Sequence, residues 1–297
     1  MIHQTFQIAV EGSEPNTKLV TYLLETSPEI MAPPKPLVLI CPGGGYSITS
    51  DREAEAVALK FNAAGFHAAV LRYSCAPAVY PTALCEVAYS VALIRKNADK
   101  WNVNPDKIIV QGASAGGHLA ASYACFYQED FLSKITGMSA QELRPAGLML
   151  SYPVITSGEY AHQGSFECLL GKPYEALQEE PLLDKLSLEK AVHNDMPPVF
   201  LWHTFCDTTV PVENSLFFVS ALKEKNIPTE FHMFSKASGT SKKGLKLPLY
   251  NRDAGQPAAR QRKVMIWALL QVRLGENVVA EVPLVILFPT AHSTGLA

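Results

Sequence analysis

Lys107-Ile108-Ile109-Val110-Gln111-Gly112-Ala113-Ser114-Ala115-Gly116-Gly117-His118-Leu119-Ala120 decides how this chain folds. A β-branched apolar run enters Gly112-Ala113-Ser114-Ala115-Gly116, and a run of helix formers leaves it. The pattern predicts a strand, a tight turn and a helix with Ser114 at the apex, the arrangement of a nucleophile elbow. Such a turn strains the serine backbone and lifts its hydroxyl clear of the sheet edge. Small residues two before and two after let strand and helix approach closely. Ser114 is the candidate nucleophile.

Working outward, strands are predicted at about 3–10, 18–25, 37–40, 67–71, 147–151, 199–202 and 229–234 around the elbow strand. Ser50-Asp51-Arg52-Glu53 has capping-box spacing and is read as opening a helix that runs to about Ala63 and ends at Gly65. Further helices are expected near 82–99, after the elbow and at about 213–225. This alternation predicts a mainly parallel sheet with helices on both faces, the two N-terminal strands forming an antiparallel edge. The irregular stretch 153–195 reads as a cap or lid.

The 297 residues, 48% hydrophobic and 18% charged, can bury a large core and are read as one domain. A net charge of −3 without a polybasic run argues against a nucleic-acid partner and for a small neutral substrate. No basic segment followed by an apolar core opens the sequence, and no apolar run reaches about 18 residues, so no membrane partner and a cytoplasmic location are expected. Cys41, Cys75, Cys85, Cys125, Cys168 and Cys206 are scattered and never form Cys-x-x-Cys; they read as reduced thiols, with no metal site.

Acyl transfer also needs donors aimed at a developing oxyanion. Cys41-Pro42-Gly43-Gly44-Gly45-Tyr46 follows the third strand where such a loop belongs, and its glycines leave backbone N–H groups unobstructed. A flexible turn or a phosphate loop is the alternative, though neither Gly-x-Gly-x-x-Gly spacing nor a following Lys-Ser/Thr is present. For the acid, Asp207 lies on the loop past 199–202. Asp195 precedes that strand, and Glu213 falls in the first turn of the next helix, where an acidic residue complements the dipole.

Taken together, Cys-Pro-Gly-Gly-Gly-Tyr at 41–46, Ser50-Asp51-Arg52-Glu53-Ala54-Glu55, Leu71-Arg72-Tyr73-Ser74, the elbow through Ala120, and His203-Thr204-x-x-Asp207-x-x-Val210-Pro211 resemble α/β-hydrolase esterases. The likeness is to the bacterial acetyl-esterase group, relatives of the hormone-sensitive-lipase-like carboxylesterases often described as acetyl xylan esterases, over about residues 15–235. It implies the α/β-hydrolase fold with a mainly parallel eight-stranded sheet, a single domain over 1–275, and hydrolysis of short acyl esters without a cofactor. It further implies Ser114 as nucleophile, Asp207 as triad acid, and the amides of Gly44, Gly45 and Ala115 as the oxyanion hole. Pro42 stands where the lipase-like relatives carry His before the three glycines.

The base departs from this pattern. Relatives run within a few residues from the strand matching Phe231–Phe234 into a His-Gly pair, whereas this chain reads Ser235-Lys236-Ala237-Ser238-Gly239, and neither Ser238 nor Gly239 can accept a proton near neutral pH. His292 and His232 are the candidates left for the base, with His162 and His193 of the cap segment behind them. A catalytically impaired homologue that binds a ligand or partner is therefore the alternative reading. A peptidase or amidase would need recognition groups that the sequence does not identify; aryl-formamide cleavage stays open. Residues 276–297 form an atypical tail. Their apolar run Val282–Phe288 reads as an extra strand, a homodimer contact or the product of an altered reading frame.

Overall fold

Strands β1 (Ile2–Gln7), β2 (Lys18–Leu23), β3 (Lys35–Cys41), β4 (His67–Arg72), β5 (Val103–Ala113), β6 (Gly147–Ser151), β7 (Val199–Thr204) and β8 (Thr229–Phe234) form one sheet. The computed structural model describes residues 1–27, 29 and 33–235. The strand order is β1-β2-β4-β3-β5-β6-β7-β8. β1 and β2 pair antiparallel, as do β2 and β4, and every pairing from β4 through β8 is parallel. The mainly parallel eight-stranded sheet and its antiparallel edge are thus as the sequence implied.

Alternation along each strand divides the core. Leu37, Leu39, Ile108, Val110, Leu148 and Leu150 face one side, where they meet α2 (Thr82–Lys96), α4 (Ala115–Phe126) and α10 (Glu213–Glu224). Val38, Ile40, Ala68, Val70 and Ile109 face the other and meet Val57, Ala58 and Phe61 of α1 (Glu55–Ala63). Burial of each such Leu, Val or Ile contributes about 1.5–3 kcal/mol. The central strands read as continuous apolar runs because both of their faces are covered.

Three local readings are corrected. The 82–99 helix is two pieces, α2 and α3 (Ala98–Trp101), joined through Asn97. Two helices that the sequence reading did not register, α5 (Asp130–Thr136) and α6 (Ala140–Leu143), fill the connection to β6. Ser50 makes no side-chain cap; residues 51–53 form a single 3-10 turn, and α1 begins at Glu55. The capping box instead forms at Ser139 and Glu142. The segment read as cap carries α7 (Gln163–Leu170), α8 (Tyr174–Leu177) and α9 (Pro181–Lys185). All six cysteines are free thiols. Among the described residues no helix is long and apolar enough to cross a membrane.

The antiparallel edge is fastened from beneath by a buried carboxylate. Glu86 of α2 is fully buried and accepts from Ser13 Oγ at 2.7 Å, from Ser74 N–H at 2.8 Å and from Ser74 Oγ. Ser74 Oγ in turn accepts from Glu14 N–H at 2.8 Å, so the turn between β1 and β2 is tied to the end of β4. Glu86→Ala strips these donors of their acceptor and is expected to cost about 3 kcal/mol, read as a lower urea midpoint at unchanged slope.

Candidate active site

Ser114 sits between β5 and α4 at φ 53° and ψ −123°, a positive φ that a non-glycine residue adopts only under constraint. The constraint is visible on both sides. Its N–H donates to Ser151 O at 3.0 Å, and its carbonyl accepts from His118 N–H at 3.1 Å and Val154 N–H at 3.0 Å. A Cβ on Gly112 would stand 2.0 Å from Gly116 O, and one on Gly116 would stand 2.1 Å from Cys41 O. The sharp turn therefore needs glycine at both places, and the elbow read from the sequence is present in its geometry.

The 42–46 loop leaves the C-terminal end of β3 and lies against the elbow; a Cβ on Gly43 would approach Ala113 O to 2.7 Å and Ser114 Cβ to 2.9 Å. Gly44 and Gly45 adopt φ of 134° and 65°. The loop is anchored to its surroundings through nearly every other group. Tyr73 Oη donates to Pro42 O at 2.7 Å, Ala76 N–H donates to Tyr46 O at 2.8 Å, and Tyr46 Oη bonds His118 Nδ1 at 2.9 Å. Gly44 O accepts from Ser47 N–H at 3.1 Å, from Ser47 Oγ at 2.8 Å and from Ile48 N–H at 3.2 Å. Among the described residues the N–H groups of Gly44, Gly45 and Ala115 meet no acceptor, and Ala115 is the first residue of α4, where helix N–H groups have no partner within the helix. Backbone N–H groups without an acceptor are the kind of donor that a developing oxyanion needs.

Asp207 lies on the loop after β7 and is buried. Its Oδ1 accepts from Thr209 N–H at 2.9 Å and Val210 N–H at 3.1 Å, which fixes the carboxylate plane. Burial raises its pKa, but His203 and the two amides outweigh that and hold the carboxyl below the usual aspartate value. His203 Nε2 stands 3.7 Å from Oδ2, too far for a hydrogen bond. That nitrogen donates to Val210 O at 3.0 Å while Nδ1 accepts from Ser215 Oγ at 2.6 Å, so His203 is locked as a loop brace.

Of the other described histidines, His3 makes a ring contact with Tyr22, and the rest each make at least one hydrogen bond. His118, buried behind the elbow, donates from Nε2 to Leu186 O at 3.0 Å, and burial pushes its pKa down to about 4. His67 bridges Leu24 N–H and Asn102 O. His232 turns back along β8 to Glu230 and stacks near Phe200, so the structure does not bring it to Asp207. His193 accepts from Asp195 N–H, and His162 bonds Ser165 in the cap segment, where Ser165 Oγ lies 3.9 Å from a Cβ built on Gly45. His292, Ser238, Gly239 and the 276–297 tail lie outside the described residues. The chain passes out of them at Ser235, beside the acid loop, where Phe205 N–H donates to Phe234 O at 2.7 Å.

Two residues of the site were given no site role by the sequence. Glu53 accepts from Gly43 N–H at 2.6 Å on Oε2 and from Tyr152 Oη at 3.0 Å on Oε1. Tyr152 stands at φ 38° just past Ser151. Nothing in the sequence marked Tyr152, and the capping-box spacing directed Glu53 elsewhere.

The chain is 38% identical over 205 residues to endo-1,4-beta-xylanase B of Butyrivibrio fibrisolvens, covering 67% of this chain and 31% of that protein. It is 31% identical over 202 residues to an acetylxylan esterase of Xylanibacter ruminicola, covering 67% of this chain and 39% of that one. The chain thus spans well under half the length of these curated relatives. The solved structure of an acetyl ester-xyloside bifunctional hydrolase from Caldicellulosiruptor lactoaceticus superposes with a TM-score of 0.65 at 37% identity, covering 74% of this chain and 78% of that one. The family model described as BD-FAE matches residues 26–222, more than half of the 297 residues. The chain belongs to this family of α/β-hydrolases.

Proposed function

We propose that the chain is a serine carboxylesterase that removes short acyl groups, acetyl above all, from sugars or xylan fragments through an acyl-enzyme. The observation that carries this reading is Ser114 at its strained φ of 53° beside three backbone N–H groups that meet no acceptor among the described residues. Ser114 Oγ attacks the ester carbonyl. The amides of Gly44, Gly45 and Ala115 hold the oxyanion, and Asp207 Oδ2, left open by the amide contacts on Oδ1, orients the histidine that relays the proton. Water then releases the acyl group. The names of the relatives, an acetylxylan esterase and an acetyl ester-xyloside hydrolase, support the acetyl and xylan-like choice. Residues 1–275 serve as one domain with 153–195 as its cap, and the partner is a small-molecule ester.

One observation favours a second reading. No described histidine nitrogen is presented to Asp207 except that of His203, which is already bonded. A chain whose base is lost would keep the pocket and bind an ester or sugar without turning it over. Hydrolysis of p-nitrophenyl esters separates the readings. An esterase of this kind is expected to show kcat/KM highest for acetate and falling as the acyl chain lengthens. Folded protein that gives only the uncatalysed rate with every ester would establish the silent homologue.

A further inference from the structure

The proton relay leaves Glu53 without a role, yet this half-buried carboxylate touches both halves of the site. Its Oε2 holds Gly43 N–H at 2.6 Å and its Oε1 holds Tyr152 Oη at 3.0 Å. A methyl group on Gly43 would meet Glu53 Oε2 at 2.5 Å and Ser114 Cβ at 2.9 Å together, so that glycine alone separates the carboxylate from the nucleophile. Tyr152 follows Ser151, whose carbonyl accepts Ser114 N–H, so one side chain links the oxyanion loop to the strand end that fixes the serine.

We propose that Glu53 is a positioning residue for the oxyanion hole, aiming the Gly44 and Gly45 amides from behind. The proposal rests on the esterase reading above, and peptide planarity gives the reason. Gly44 N–H belongs to the same rigid unit as Gly43 C=O, and the two point in opposite directions. Ser50 N–H holds that carbonyl at 2.8 Å, which directs Gly44 N–H away from Ser50. Gly45 N–H shares its unit with Gly44 C=O, held by Ser47 and Ile48. Glu53 fixes the preceding unit by its N–H, so Gly43 is clamped on both sides by the single turn 50–53. Arg72 ties that turn to β4 through Asp51 at 2.8 Å and Thr49 O at 3.1 Å. The charged and titratable groups around Glu53 are Arg52 on its own turn, Tyr152 after β6 and Tyr73 after β4. Donors held in this way are fixed before any charge develops and act on the transition state rather than on the bound ester.

Glu53→Ala and Glu53→Gln, made in the full chain, test this. Glu53→Ala is expected to lower kcat for p-nitrophenyl acetate about 10–100-fold with KM nearly unchanged, and Glu53→Gln, which keeps a carbonyl for Gly43 N–H, to recover most of that loss. In ¹H–¹⁵N spectra the Gly43 amide proton is expected far downfield and titrating with pH in the wild type. Titration should be absent in Glu53→Gln, and in Glu53→Ala the Gly44 and Gly45 resonances should move. Unchanged kcat together with unmoved Gly44 and Gly45 resonances in Glu53→Ala would overturn the proposal, as would equal losses in both variants that follow a fall in Tm and a rise in KM. If the wild type shows no Ser114-dependent turnover, the esterase reading fails by itself, and the glycine resonances alone decide the role of Glu53.

Discussion

Ser114→Ala is expected to bring hydrolysis of p-nitrophenyl acetate down to the level of folded protein without a nucleophile, a fall on the order of 10⁴–10⁶ in kcat for a working relay. The size follows from what the alanine leaves behind. The Gly44, Gly45 and Ala115 amides stay in place, because the loop is held by Tyr73, Ser47, Ile48 and Tyr46 rather than by the serine hydroxyl. Ester binding therefore survives while the covalent route disappears. A fluorophosphonate probe supplies the companion measurement, expected to label the wild type once per chain and the variant not at all. A variant hydrolysing the ester as fast as the wild type would place the chemistry elsewhere.

Asp207→Asn is the second large effect, with kcat expected to fall roughly 10⁴-fold at little change in KM. The substitution is nearly isosteric. Its amide oxygen can keep the bonds from Thr209 and Val210 N–H, while an N–H₂ group replaces Oδ2, so an acceptor becomes a donor and the histidine is offered the wrong partner. The pH dependence of stability carries an independent sign. The folded state holds the Asp207 carboxyl below its ordinary value of 3.8, so its ionised form stabilises the fold above that pH. This contribution is lost as the pH drops through the lower folded-state value. Denaturant midpoints of wild type and Asn variant should accordingly differ most near neutrality and converge in acid.

The sequence disclosed the scaffold more fully than the site. The elbow was legible because Gly112, Ser114 and Gly116 answer steric demands a few residues apart, where a Cβ would strike backbone at about 2 Å. The mainly parallel character of the sheet was legible because buried parallel strands read as continuous apolar runs; the strand order was not. Asp207 could be placed because it follows such a run. Glu53 was misread for a physical reason. Its spacing from Ser50 suits a helix cap, but a buried peptide N–H at Gly43 is the acceptor-seeking group that it serves, and that contact depends on where two distant strands end. A 3-10 turn over 51–53 replaces the first turn of the expected helix and carries this side chain to Gly43. Tyr152 left no trace in the sequence, since its positive φ and its bond to Glu53 arise only when β6 packs beside β5. A base could not be assigned from spacing, because residues 235–244 contain no histidine.

The backbone of Ser114 has a wider meaning for how the domain tolerates change. A residue with a Cβ held at φ 53° sits about 1–3 kcal/mol above its relaxed state, whereas glycine would rest there at ease. The side chain proposed as nucleophile is thus one that folding alone would reject. Its strain is borne by bonds to Ser151, His118 and Val154, which belong to three separate segments. Reactivity at one atom is in this sense a debt carried by the whole domain, and weakening of the sheet or of α4 erodes the reserve that keeps the hydroxyl raised.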